Sequence, residues 1–158
     1  MRFFLDTSAV AKRYVRESGS IWVDGLFRPR GRAGHSFFIS QLTPVELVAA
    51  LHRRSRANPK DLPPALVDHL IAWFARDVRR GRYEVVQIGD TILTRAVGLC
   101  RTHALRAYDS VQLACALTVA AEARIIKSNA PTFVCADNEL IIAARAEGLP
   151  AGNPLDHA

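Results

Sequence analysis

Four times along this chain a short aromatic or β-branched run gives way to a helical pattern. The runs occupy residues 2–5, 36–40, 83–87 and 132–135. Each is too short for a helix of its own and rich in side chains that suit a pleated, buried surface. Apolar residues at helical spacing follow them, over residues 8–16, 43–56, 90–100 and 138–147. Further helices are expected around Ile21, Trp22, Leu26 and Phe27, from Leu66 to near Gly81, and from Asp109 to about Glu122. Parallel strands need a long crossover between them, and a helix supplies it. The alternation therefore predicts an α/β domain with a mainly parallel sheet and helices on both faces. The tail from Leu149 is expected to add a last short strand. With 158 residues, 49% of them hydrophobic, residues 1–158 read as a single domain with a full core.

Four acids interrupt this apolar pattern. Asp6 ends the run Phe3-Phe4-Leu5, and Asp137 follows Phe133-Val134-Cys135-Ala136. Glu46 lies in the helical stretch opened by Thr43-Pro44, and Asp109 opens Asp109-Ser110-Val111-Gln112-Leu113. A carboxylate in a core-forming segment is costly unless it is paired, hydrogen-bonded or bound to a cation. Two readings of them stand. Asp6, Asp109 and Asp137 suit the N-cap of the helix that follows each, where the macrodipole favours negative charge. Alternatively all four share one site, since Asp6 and Asp137 both leave the carboxyl end of a strand, where open parallel sheets bind their ligands. Glu46 fits capping less well, because its helix neighbours are largely apolar.

Gathered carboxylates repel one another, and a hard divalent cation relieves that repulsion. Oxygen ligands select Mg²⁺ or Mn²⁺; zinc would need histidine or cysteine at ligand spacing, which His35, His52, His69, His103 and His157 do not provide. Carboxylate-held Mg²⁺ suits phosphodiester hydrolysis. Other templates are absent: no P-loop, no Gly-x-Gly-x-x-Gly, no Gly-x-Ser-x-Gly elbow. Asp6-Thr7-Ser8 also lacks the second Asp of a haloacid-dehalogenase-type phosphatase.

At these residues the chain resembles the PIN-domain family, in particular the VapC-type ribonuclease toxins of toxin–antitoxin pairs. Phe4-Leu5-Asp6-Thr7-Ser8-Ala9 is similar to the family's first strand and Asp-Thr-Ser motif. Thr43-Pro44-Val45-Glu46-Leu47 resembles its second motif, and Arg106-Ala107-Tyr108-Asp109-Ser110-Val111-Gln112-Leu113-Ala114 its third. Phe133-Val134-Cys135-Ala136-Asp137 resembles the fourth. The likeness implies a PIN-like three-layer α/β/α sandwich with a mainly parallel central sheet of four to five strands. It also implies a Mg²⁺- or Mn²⁺-dependent endoribonuclease, the toxin of a VapBC-type module, with Asp6, Glu46, Asp109 and Asp137 as catalytic and metal-binding quartet. Ser8, or secondarily Thr7, would support the quartet. RNA substrate, a cognate antitoxin and a homodimer are the partners it implies. The family often has Ser or Thr two residues before the last Asp; here Cys135 stands there, and a hydroxyl contribution is missing. The alternatives are a catalytically silent PIN-like RNA- or antitoxin-binding protein and a DNA-directed nuclease.

A net charge of +6 fits an anionic partner. Arginines cluster at Arg28, Arg30 and Arg32, at Arg53, Arg54 and Arg56, and at Arg76, Arg79, Arg80 and Arg82. Each cluster is either a solvated surface or part of an RNA-binding rim. Trp22, Phe27, Trp73 and Phe74 are candidates for an antitoxin groove or for the core. The three cysteines, Cys100, Cys115 and Cys135, sit in apolar contexts and form no C-x-x-C pair, as expected of reduced, structural thiols. With no signal-like or membrane-length apolar run, the expected location is cytoplasmic, with no membrane partner.

Overall fold

The computed structural model describes residues 1–28 and 34–157. Five strands form one sheet: β1 (Arg2–Leu5), β2 (Ser36–Ser40), β3 (Glu84–Val86), β4 (Thr132–Val134) and β5 (Ala151–Gly152). Their order is β3-β2-β1-β4-β5, and every pairing is parallel. Among the described residues the helices are α1 (Thr7–Tyr14), α2 (Ser20–Leu26), α3 (Thr43–Ala57), α4 (Pro64–Arg79), α5 (Asp90–His103), α6 (Ala107–Ile125) and α7 (Asn138–Ala146). A 3₁₀ turn, Pro154–His157, follows β5. This is the α/β/α sandwich expected, with a wholly parallel sheet.

Successive strand residues point to opposite faces, and the two cores divide accordingly. Phe3, Leu5, Phe37 and Ile39 pack with Val10 of α1, Leu47 and Leu51 of α3, and Val67 and Phe74 of α4. Phe4, Phe38 and Phe133 face the other way, against Ile92 and Leu99 of α5, Leu113 and Val119 of α6, and Leu140 of α7. Phe4 and Phe133 stack with ring centres 5.8 Å apart, which fixes β1 beside β4 from the inside.

Helix α5 begins at Asp90 behind Gly89, with no side-chain cap. Helix α6 starts at Ala107, so Asp109 lies inside its first turn and does not cap it. Phe27 and Phe74 are buried core residues, so they leave the candidate groove. Trp22 stacks on His157, and Trp73 meets the edge of Tyr14. No helix among the described residues is long and apolar enough to cross a membrane.

The strand order sets where a site can form. The chain builds β1, β2 and β3 outward in one direction, then returns past β1 to lay down β4 and β5 on its other side. Between β1 and β4 the winding reverses. The crossovers on either side then leave a crevice at the carboxyl ends of those two strands.

Candidate active site

Asp6 and Asp137 are the residues that leave β1 and β4 at this reversal. Leu5 is in register with Val134, and the Asp6 amide donates to the Val134 carbonyl at 3.0 Å. Asp6 is buried and caps α1: its Oδ2 accepts from the Ser8 amide (3.0 Å) and from the Ser8 hydroxyl (2.6 Å). The Ser8 Oγ also accepts from the Ala136 amide at 2.9 Å, so one hydroxyl ties α1 to the segment after β4. Asp137 is exposed and caps α7, its Oδ1 accepting from the Glu139 and Leu140 amides at 2.8 and 3.3 Å.

Glu46 comes from the first turn of α3, placed by Pro44 at the helix start. Its Oε2 accepts the Thr7 hydroxyl at 2.5 Å and also accepts from the amide nitrogen of Gln112. Gln112 is fully buried on α6, and its amide nitrogen reaches Thr7 Oγ1 at 3.0 Å and Thr43 Oγ1 at 3.4 Å as well. Asp109 stands one turn before Gln112 on the same face of α6. Asp109, Asp137, Arg106 and Glu139 line a cavity of about 110 Å³.

Electrostatics tie the four acids together. The Asp109 carboxyl is pushed up to about 6, first by burial and then by the charges of Asp6, Asp137 and Glu46, against the opposing pull of Arg106. Capping and sharing are thus not rivals. Asp6 and Asp137 cap helices with one oxygen; among the described residues no hydrogen bond reaches Asp6 Oδ1, Asp137 Oδ2 or Glu46 Oε1. Asp6, Glu46 and Asp137 thus each have one oxygen anchored and the other left for a ligand. The donor set is all carboxylate, and its mutual repulsion is what a hard cation would relieve, so these residues fit Mg²⁺ or Mn²⁺. As they stand, no three Asp, Glu, His or Cys side chains among the described residues are already drawn into a chelating group.

Cys135 occupies the space between the two strand-end acids. Its Sγ lies 3.5 Å from Asp6 Oδ2 as donor and accepts from the Asp137 amide at 3.2 Å. Burial and the Asp6 charge raise its pKa, keeping it a neutral thiol. It therefore makes, more weakly, the contacts a hydroxyl would make there.

The raised pKa of Asp109 has a consequence for stability. The folded state holds this proton more tightly than the unfolded chain, whose carboxyl titrates near its ordinary 3.8. That contribution favours folding in full below the unfolded value and is lost as pH rises through about 6. Asp109→Asn removes the titration. Wild type and D109N should melt alike near pH 4 when compared without divalent ions. At pH 7.5 the wild type should melt roughly 2–4 °C lower, since solvent screening reduces the penalty of this half-buried group to about 1 kcal/mol. Equal melting at both pH values would show that the four acids do not repel.

Sequence reasoning missed Gln112 and Arg106. Gln112 carried the same signal as the acids, a polar residue inside the apolar run Val111 to Leu117, but without a charge. Arg106 carried none, since a cation before a helix is ordinary. Arg54 pairs with Glu17 and Asp61, and Arg82 with Asp77, so these two basic residues serve internal ion pairs. Arg53, Arg56, Arg76, Arg79 and Arg80 are exposed. Arg30 and Arg32 lie outside the described residues.

The PIN domain family model matches residues 3–145. This chain belongs to the PIN domain family. Similar solved structures include a toxin–antitoxin complex from Klebsiella pneumoniae, 14% identical, with a TM-score of 0.58 over 96% of this chain and 97% of that chain. VapBC2 from Rickettsia felis, bound to a DNA fragment from its promoter, is 16% identical, with a TM-score of 0.60 over 97% and 98%. PAE2754 from Pyrobaculum aerophilum is 16% identical, with a TM-score of 0.56 over 99% and 91%. No curated protein matches the sequence.

Proposed function

We propose that this PIN-domain protein is a Mg²⁺- or Mn²⁺-dependent endoribonuclease and the toxin of a VapBC-type toxin–antitoxin module. The reading is supported above all by the convergence of Asp6, Glu46 and Asp137 on Asp109, whose carboxyl is pushed up to about 6 first by burial and then by those three charges. Asp6, Glu46 and Asp109 would hold the cation, with Asp137 completing the site. When bound there, the cation supplies neutralisation of phosphate charge and a lowered pKa for an attached water. The protein groups do the rest. Ser8 and Cys135 hold Asp6 Oδ2 in place, and the α7 amides hold Asp137 Oδ1, which leaves Asp6 Oδ1 and Asp137 Oδ2 for the cation. Asp137 would position the attacking water. Water oxygen bonds to phosphorus, one P–O ester bond breaks, and the departing oxygen takes up a proton. Arg106 beside Asp109 supplies a cation for the phosphate backbone.

The toxin role, a cognate antitoxin and a cytoplasmic setting belong to the same proposal, as does a homodimer. They are supported by the fold likeness to toxin–antitoxin and VapBC structures. The test is cleavage of end-labelled RNA and of single- and double-stranded DNA of the same sequence. Cleavage of RNA in Mn²⁺ or Mg²⁺, abolished by EDTA, is expected. Preferential DNA cutting would make it a DNA-directed nuclease, and binding without cutting a silent PIN-like binder; either result overturns the proposal.

A further inference from the structure

Gln112 is a fully buried amide that interrupts the apolar run Val111 to Leu117 of α6. Its nitrogen meets three oxygens from two other helices: Thr7 Oγ1 on α1, and Thr43 Oγ1 and Glu46 Oε2 on α3. Its own oxygen, Oε1, is buried with no partner. An unsatisfied buried acceptor costs about as much as a hydrogen bond to a charged group contributes. Gln112 is therefore a poor device for stability alone, because its gain and its cost nearly cancel. The amide also has one workable orientation. Rotated by half a turn, it would set Oε1 against the Glu46 carboxylate.

The amide connects the elements that carry the acids. It sits one turn after Asp109 on α6, touches Thr7 next to Asp6, and touches Glu46 itself. Glutamate has three free torsions and does not hold a position unaided. Two donors, the Thr7 hydroxyl and the Gln112 amide, both converge on Oε2. Oε2 is thereby committed, and Oε1 is the oxygen left to a ligand.

We propose that Gln112 is a positioning residue: by pinning Glu46 Oε2 it presents Oε1 as a single fixed ligand oxygen to the cation. This rests on the reading of Glu46 as part of a cation site. Outer groups that orient a ligand typically change metal affinity or activity by about 10–100-fold when removed.

The experiment measures Mn²⁺ binding to the full chain by calorimetry, beside melting temperature and cleavage rate, in wild type, Gln112→Met, Gln112→Asn and Glu46→Gln. Methionine keeps the volume and removes the donor. Asparagine keeps an amide that is one methylene too short to reach Oε2, and it serves if the methionine variant fails to fold. Expected are Mn²⁺ affinities about 10–100-fold weaker in the Gln112 variants, with melting of the metal-free protein close to wild type. The Mn²⁺ concentration for half-maximal cleavage should rise by more than the rate at saturating Mn²⁺ falls. Unchanged Mn²⁺ affinity in a folded Gln112 variant, alongside lost binding in E46Q, overturns the positioning role and leaves the cation site standing. Failure of both Gln112 variants to fold makes the amide a structural brace and overturns it too. Absence of Mn²⁺ binding in the wild type overturns the cation site and this inference together.

Discussion

Asp109→Asn and Asp6→Asn are each expected to lower RNA cleavage by about 10³-fold or more, since the charge neutralisation at stake is several kcal/mol and each 1.36 kcal/mol is tenfold. The folds should survive. Asn at position 6 keeps a side-chain oxygen to accept from the Ser8 amide, so α1 keeps its cap. At position 109 the substitution removes a charge that its neighbours oppose, so D109N should be no less stable than wild type at neutral pH. Loss of activity with unchanged circular dichroism and melting is the pattern that marks a ligand rather than a structural acid. Full activity in either variant would remove that residue from the reaction.

Asp77→Ala should produce the largest loss of stability. Asp77 is 2% exposed, at the end of α4. It accepts from the Tyr14 hydroxyl at 3.0 Å and stands 3.3 Å from Arg82 Nε and 3.7 Å from Arg13 Nε. Tyr14 in turn meets Tyr83, whose hydroxyl burial pushes up to about 12, so both phenols stay neutral and Asp77 is the anion of the cluster. Removing it leaves Arg82 without its counter-charge, Arg13 with Asp24 alone, and the buried Tyr14 hydroxyl without its acceptor. Breaking such a pair costs about 3–5 kcal/mol, or roughly 6–20 °C in melting temperature for a chain of this size. Asp77→Asn should cost less, because it keeps an acceptor for Tyr14. A D77A variant melting within a couple of degrees of wild type would show that the two arginines are solvated in the fold. The cluster clamps the far end of α1 onto α4, while the near end of α1 carries Thr7 and Ser8 into the site. A weakened clamp should therefore also weaken cleavage.

Much of the fold was legible because strand and helix periodicities are local. The runs around Phe4, Phe38 and Phe133 alternate between two cores, and the helices between them carry one apolar face each. Helix starts were legible where a residue type marks them, as Thr43-Pro44 does for α3 and a capping side chain does elsewhere. Asp6 and Asp137 do so. α6 begins at Ala107 behind Arg106, with no side-chain cap, and the sequence has no mark there. Phe27 and Phe74 illustrate another limit: one follows α2 directly and the other lies on α4, and only packing against Phe37 and Tyr83 decides that they are interior.

The sequence by itself determined that this is a crossover-built parallel α/β domain, that four acids break its apolar segments, and that their motifs follow the order of the PIN family. These are properties of short stretches of chain, fixed by periodicity and residue type. The tertiary structure decided which strands are neighbours. That choice depends on long-range burial, and it puts β4 beside β1, bringing Asp137 to Asp6 across most of the chain length. It also made the two readings compatible, since Asp6 and Asp137 cap helices with one oxygen and keep the other free. And it gave Gln112 a purpose no local pattern shows, because a hydrogen bond to Glu46 exists only when α6, α1 and α3 are packed together.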